Sequence, residues 1–180
     1  MEAGTISSRY AKALYSLAKE NREEDRVYKD MKMLSQSFSL EPKLKVALGN
    51  PIISENEKAK LLIAAGGIEV SELYKRFIKL VLLQKREEYL PFMTHNYIHL
   101  YRQDKRITRV QFCTAVPVCD KVKQHIQDKL KEETGCTVEF SGITQPELIG
   151  GFRLRIGNIR IDASYATQLK EIHNRLLENR

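Results

Sequence analysis

Apolar positions recur every three to four residues through the first hundred residues, and then every second residue. Ile6, Tyr10, Ala13, Leu14 and Leu17 form one stripe, which predicts a helix over about residues 7–20. Val27, Met31, Leu34 and Phe38 predict a second over about 23–39, ended by Glu41-Pro42. A short helix with Leu44 and Leu48 follows and breaks at Asn50-Pro51. Ser54-Glu55-Asn56-Glu57 reads as a capping box, and the helix it opens, with Leu61 and Leu62, stops at Gly66-Gly67. Ser71 opens a fifth helix with Tyr74, Phe77, Ile78, Val81 and Leu82 apolar. A sixth spans about 88–106, with Tyr89, Met93, Tyr97, Leu100 and Tyr101, and Pro91 belongs in its first turn. The short loops predict a compact bundle with sequential neighbours antiparallel. Each stripe is expected to form core.

The period changes at Gln103-Asp104-Lys105-Arg106. Beyond it Val110, Phe112, Thr114 and Val116 alternate as a strand. Pro117 is expected to start a helix carrying Val118, Val122, Ile126 and Leu130, closed by Gly135. Cys136, Val138 and Phe140 form a further strand. Two more alternating runs are joined by Gly157-Asn158, the signal of a two-residue hairpin. That loop fixes the register: Ile156 faces Ile159, Leu154 faces Ile161, and Phe152 faces Ala163. All six share a face that the pattern expects to be buried. The other face pairs Arg155 with Arg160 and Arg153 with Asp162. Gly150-Gly151 lets the chain turn into the hairpin, and Ser164 is placed to cap a last helix with Tyr165, Leu169, Ile172 and Leu176 apolar. The expected fold is mainly α: a six-helix bundle over residues 1–106, then a small α+β domain over 107–180 with β-α-β-β-α order.

Charge alters this picture little. The formal charge is +7, with 19 Lys/Arg against 14 Asp/Glu in residues 1–106 and 11 against 9 beyond. Basic and acidic residues are interleaved rather than gathered on one face, which argues against nucleic acid and for an acidic partner or a nearby membrane. No run of about 18 apolar residues occurs. The N-terminus lacks the basic flank and apolar run of a secretory signal, so a cytoplasmic location, or the cytoplasmic face of a membrane, is expected. Cys113, Cys119 and Cys136 show no Cys-x-x-Cys spacing, which suits a reducing compartment.

Candidate chemistry is sparse. His95 and His99 have metal-ligand spacing on a helix but no third ligand nearby in sequence, so two exposed polar side chains are the simpler account. The glycines of residues 150–157 match neither phosphate-loop pattern. Asp162 is the most tempting carboxylate, and its cross-strand Arg153 makes a structural ion pair the expectation. No catalytic residue, metal or cofactor is expected; a binding protein is.

Three segments carry a resemblance: Arg9–Ala18 (RYAKALYSLA), Leu48–Ile53 (LGNPII) and Leu148–Ile172 (LIGGFRLRIGNIRIDASYATQLKEI). In this order they resemble the delta subunit of F-type ATP synthases, the bacterial counterpart of the oligomycin-sensitivity-conferring protein. The resemblance implies a non-catalytic stator subunit at the cytoplasmic face of a bacterial cell membrane. It implies that the bundle binds N-terminal segments of alpha subunits of the catalytic head, and that the C-terminal domain binds the b subunits of the peripheral stalk. The family's alpha-binding surface lies on the first and fifth helices. The matching positions are Tyr10, Ala13, Leu14 and Leu17, with Phe77, Ile78 and Val81 from the fifth. Gly150, Gly151, Gly157, Asn158 and Asp162 belong to the structural hairpin. The alternative class is a basic nucleic-acid-binding adaptor, whose affinity would fall steeply with salt.

Overall fold

The computed structural model describes residues 2–157 and 159–178. Asn158, expected in the hairpin loop, lies outside the described residues. The contacts divide the chain into two units, 1–104 and 105–180.

The first unit contains helices α1 (Glu2–Glu20), α2 (Glu24–Leu40), α3 (Pro42–Gly49), α4 (Glu55–Gly66), α5 (Glu72–Leu83) and α6 (Leu90–Asp104), with one 3-10 turn, Glu87–Tyr89, before the last. Pro91 falls in the first turn of α6, where its missing N–H is not needed. The capping box of α4 is complete: Glu57 N donates to Ser54 Oγ at 3.3 Å, and Ser54 N donates to Glu57 Oε2 at 3.1 Å. The core holds Val27, Met31 and Leu34 of α2, Leu62 of α4, Tyr74, Ile78 and Val81 of α5, and Met93 and Tyr97 of α6.

Helix α1 departs from its expected core stripe. The side it buries is Ser7, Ala11, Leu14 and Ala18, one step round from the larger apolar residues. The small side chains of Ser7, Ala11 and Ala18 let α1 lie close along α6. Asn96 Nδ2 donates to Ser7 Oγ at 3.3 Å, and Lys19 Nζ meets Asp104 at 2.9 Å. Both α1–α6 contacts run in ascending order, so the two helices point the same way. The stripe of larger residues is thereby turned toward α5.

Buried polar contacts hold α5 in place. The Asp30 carboxylate accepts from Ser71 N at 2.9 Å and from Ser71 Oγ at 2.7 Å, while Ser71 Oγ accepts from Tyr74 N at 3.3 Å. The N-cap of α5 is thus fastened to α2 inside the bundle. Tyr74 Oη donates to the Leu62 carbonyl at 2.7 Å, which ties α5 to α4. Burial with the Asp30 charge nearby raises the Tyr74 phenol far above its ordinary pKa, so it remains a donor. Lys58 and Glu87 form a buried ion pair at 2.8 Å between α4 and the 3-10 turn.

The second unit runs β1 (Ile107–Thr114), α7 (Asp120–Thr134), β2 (Thr137–Thr144), a 3-10 turn (Pro146–Leu148), β3 (Gly151–Ile156), β4 (Ile159–Ser164) and α8 (Tyr165–Glu178). The sheet order is β2-β1-β3-β4; β1 and β2 are parallel and the other pairs antiparallel. Helix α7 begins at Asp120, not at Pro117. Strand β1 stops at Thr114, whose Oγ1 donates to the Val116 carbonyl at 2.7 Å, and this turn leaves Val116 exposed rather than in the strand.

The β3–β4 register is the one the sequence predicts, with Ile156 opposite Ile159, Leu154 opposite Ile161, Phe152 opposite Ala163 and Arg153 opposite Asp162. Gly157 has φ +54° and open space around it, so a side chain there meets backbone strain rather than a clash. Gly157→Val should destabilise the second unit by roughly 1–3 kcal/mol. Urea denaturation of the full chain, followed by amide exchange in β3 and β4, reads that loss; unchanged protection would contradict it.

The apolar face of the hairpin is not buried as expected. Val110 and Phe112 of β1 are covered, and Phe112 packs on Phe140 and Phe152 with ring centroids 5.9 and 5.6 Å apart. At the β4 edge, however, Ile159 is 64% and Ile161 46% exposed. Tyr165, Leu169, Ile172 and Leu176 of α8 are also each more than half exposed. An amphipathic pattern requires a burying surface, and the described residues of this unit leave these side chains largely uncovered.

Candidate functional site

Helices α1 and α5 enclose an apolar groove of about 580 Å³. Helix α1 lines it with Ile6, Arg9, Tyr10, Ala13, Leu14 and Leu17. Helix α5 adds Leu73, Arg76, Phe77 and Leu80, and Arg86 closes one side. Four of the predicted residues, Tyr10, Ala13, Leu14 and Leu17, are therefore brought together with a fifth, Phe77. The Tyr10 and Phe77 rings meet edge to face, 6.5 Å between centroids, and join the two walls. Ala13 is exposed, and its lack of bulk keeps the groove open between Tyr10 and Leu17. Leu17 and Leu80 are 45% and 49% exposed, a large apolar area for an isolated surface.

Ile78 and Val81 are corrections. Both are fully buried in the bundle core and line no part of the groove. With Tyr74 they form the inward face of α5, at i, i+4 and i+7. The residues that α5 turns to the groove are Leu73, Arg76, Phe77 and Leu80.

Arg86 is reached by a turn that the sequence does not advertise. Lys85 N donates to the Leu82 carbonyl at 2.8 Å and Arg86 N to the Val81 carbonyl at 3.0 Å, with Lys85 at φ +53°. This left-handed turn ends α5 and sends the Arg86 guanidinium over the Tyr10 ring, 5.4 Å from its centroid. Arg86 Nη1 also donates to Tyr10 Oη at 3.0 Å. Tyr10 is held by both Phe77 and Arg86, so the groove floor is formed before any occupant arrives.

In the second unit Asp162 is structural, as its pairing predicts. Its carboxylate accepts from Ser164 Oγ at 2.7 Å, Ser164 N at 3.2 Å and Arg153 Nε at 2.8 Å. These bonds, with Ser164 first, hold its pKa well below the ordinary 3.8. A depressed carboxylate stabilises the fold above its ordinary pKa and loses that contribution as pH falls below it. Wild-type stability should therefore drop more steeply than that of Asp162→Asn as pH falls below about 4, read by urea midpoints of the full chain. Parallel pH profiles for the two proteins would contradict this. Gly150 approaches the Tyr165 ring so closely that a Cβ there would stand 2.5 Å from it, which places the start of α8 against the strand entry.

Among the described residues no group of three or more His, Cys, Asp or Glu could hold a metal ion, and no helix is long and apolar enough to cross a membrane.

The profile of the ATP synthase delta (OSCP) subunit matches residues 6–176. The chain belongs to that family. It is 70% identical over 180 residues to the ATP synthase subunit delta of Parabacteroides distasonis, covering the whole of both chains. It is 44% identical over 178 residues to that of Phocaeicola vulgatus, covering 98% of this chain and 96% of the other. Its fold is similar to a chain of the Toxoplasma gondii mitochondrial ATP synthase hexamer, with a TM-score of 0.69 and 18% identity over 96% of this chain and 97% of that one. As a delta/OSCP subunit it is a structural, non-catalytic part of the ATP synthase, a stator element that links the catalytic head to the peripheral stalk, with alpha and b subunits as partners. It acts as a peripheral subunit of a membrane-bound complex. Nothing in the family or the fold favours the nucleic-acid adaptor.

Proposed function

We propose that residues 1–106 bind the catalytic head and residues 107–180 the stalk, at the cytoplasmic face of a bacterial cell membrane. The observation that carries this is the α1–α5 groove. It is apolar, open and preformed, and a groove between two helices suits the apolar face of a third. Its occupant is the N-terminal segment of an alpha subunit. The open apolar surface of Ile159 and Ile161 with Leu169, Ile172 and Leu176 supports a second contact, made by the distal end of the b subunits. A stator needs two such grips, because a torque on the head is resisted only if both ends of the link hold.

Site-directed cross-linking in the assembled synthase tests the assignment. Photo-reactive residues at positions 13 and 161 should give adducts with alpha and with b respectively. The reverse pattern, or alpha adducts from position 161, would overturn it.

A further inference from the structure

The groove that accepts the partner also carries a charge preference, and this inference rests on the groove being the alpha-binding site. Three arginines, Arg9, Arg76 and Arg86, line the groove, and no acidic residue does. This stands out in a chain whose charges are otherwise interleaved, with 23 Asp/Glu against 30 Lys/Arg. The three belong to one level of the groove. Arg9 and Arg76 each precede by one residue the rings of Tyr10 and Phe77, which are in contact. Arg86 sits over that same Tyr10 ring. Arg9 and Arg76 are exposed and make no ion pair among the described residues. Glu72, one turn before Arg76 on α5, pairs with Lys75 at 2.7 Å, and the Arg76 charge acts on it only as a lesser influence. Arg86 uses Nη1 on Tyr10 and keeps further N–H donors.

We propose that the groove selects a helix carrying carboxylates on the flanks of its apolar stripe, at the level of the Tyr10–Phe77 contact. Apolar anchors fill the floor, and a carboxylate on either flank meets a guanidinium at the rim. Guanidinium–carboxylate pairs are directional and can be bidentate, so they fix the rotation and register of a helix that the apolar floor alone would let slide. Register matters here because the contact bears load along its length. The same arginines reject a helix with basic flanks.

The test uses the full chain and two synthetic peptides. One is the N-terminal segment of the cognate alpha subunit, and the other is the same segment with every Asp and Glu replaced by Asn and Gln. Affinity and association rate are measured at about 50 mM and about 500 mM salt. The native segment should bind roughly tenfold tighter at low salt, with a faster association rate, and the gap should narrow at high salt. Arg76→Gln, with an unchanged melting curve to exclude a folding artefact, should weaken the native segment more than the segment without carboxylates; an equal loss for both overturns the preference. Equal binding of the two peptides overturns the charge preference while the groove assignment stands. Failure of both peptides to bind overturns the groove assignment, and the charge preference with it. A cognate alpha segment without acidic residues overturns the preference outright.

Discussion

Ala13→Arg should abolish binding of the alpha N-terminal segment and leave the bundle folded. Ala13 is exposed and lines the groove between Tyr10 and Leu17, so its replacement costs the bundle no core contact. With an occupant in place, the new guanidinium is trapped between apolar surfaces in a groove already lined by three arginines. A buried unpaired charge in such a contact costs several kcal/mol; about 3 kcal/mol already weakens binding more than a hundredfold. Calorimetric titration with the alpha segment reads the loss, and circular dichroism checks the fold. Unchanged affinity would place the alpha contact elsewhere. Loss of helicity would mean that Ala13 supports the bundle after all.

The second large effect is expected at Gly151. It opens β3 at φ +72°, opposite Ser164, and a Cβ there would collide with the backbone carbonyl oxygen of Ala163. Backbone cannot rotate away as a side chain can. Gly151→Ala therefore combines a strained φ with a clash against the neighbouring strand, a cost of roughly 3 kcal/mol or more. The hairpin should open, and Asp162 and Ser164, whose bonds hold the start of α8, should lose their order. The variant should keep its alpha-segment affinity, since the groove lies wholly in the first unit. Hydrogen exchange on the full-length variant tests this: β3, β4 and α8 should exchange fast while α1 to α6 remain protected. Uniform protection across the chain would contradict the clash, and uniform loss would contradict the separation of its effects. Gly157→Val is the milder companion, because only φ is at issue there.

The hairpin was legible from sequence because a two-residue loop leaves a single register, and that register puts Arg153 beside Asp162. The capping box at Ser54 and the N-cap at Ser71 were legible for a similar reason, since local hydrogen bonds leave a local pattern. Asp30 was not, because its partner Ser71 lies 41 residues away and nothing in the spacing links them. On α1 the large residues point to a stripe, but of these the core takes Leu14 alone, beside three small side chains. Ser7, Ala11 and Ala18 give almost no hydrophobic signal, though their size is what allows α6 to come close. Ile78 and Val81 mislead for the opposite reason: their apolar helix face would suit a partner equally well, but with Tyr74 it turns inward. Arg86 depends on the left-handed turn at Lys85, a residue type that gives no warning of it. The exposure of α8 could not be read at all. An amphipathic helix has the same sequence whether its apolar face meets its own sheet or another chain.

ATP-driven proton pumping tests most directly whether this chain mechanically couples the head to the stalk. Membrane vesicles whose synthase lacks the chain are reconstituted with the wild-type protein or with Ala13→Arg. The wild type should restore pumping. Ala13→Arg should not, while the released head hydrolyses ATP at an undiminished rate. Full pumping with Ala13→Arg, or in vesicles given no chain, would contradict the account.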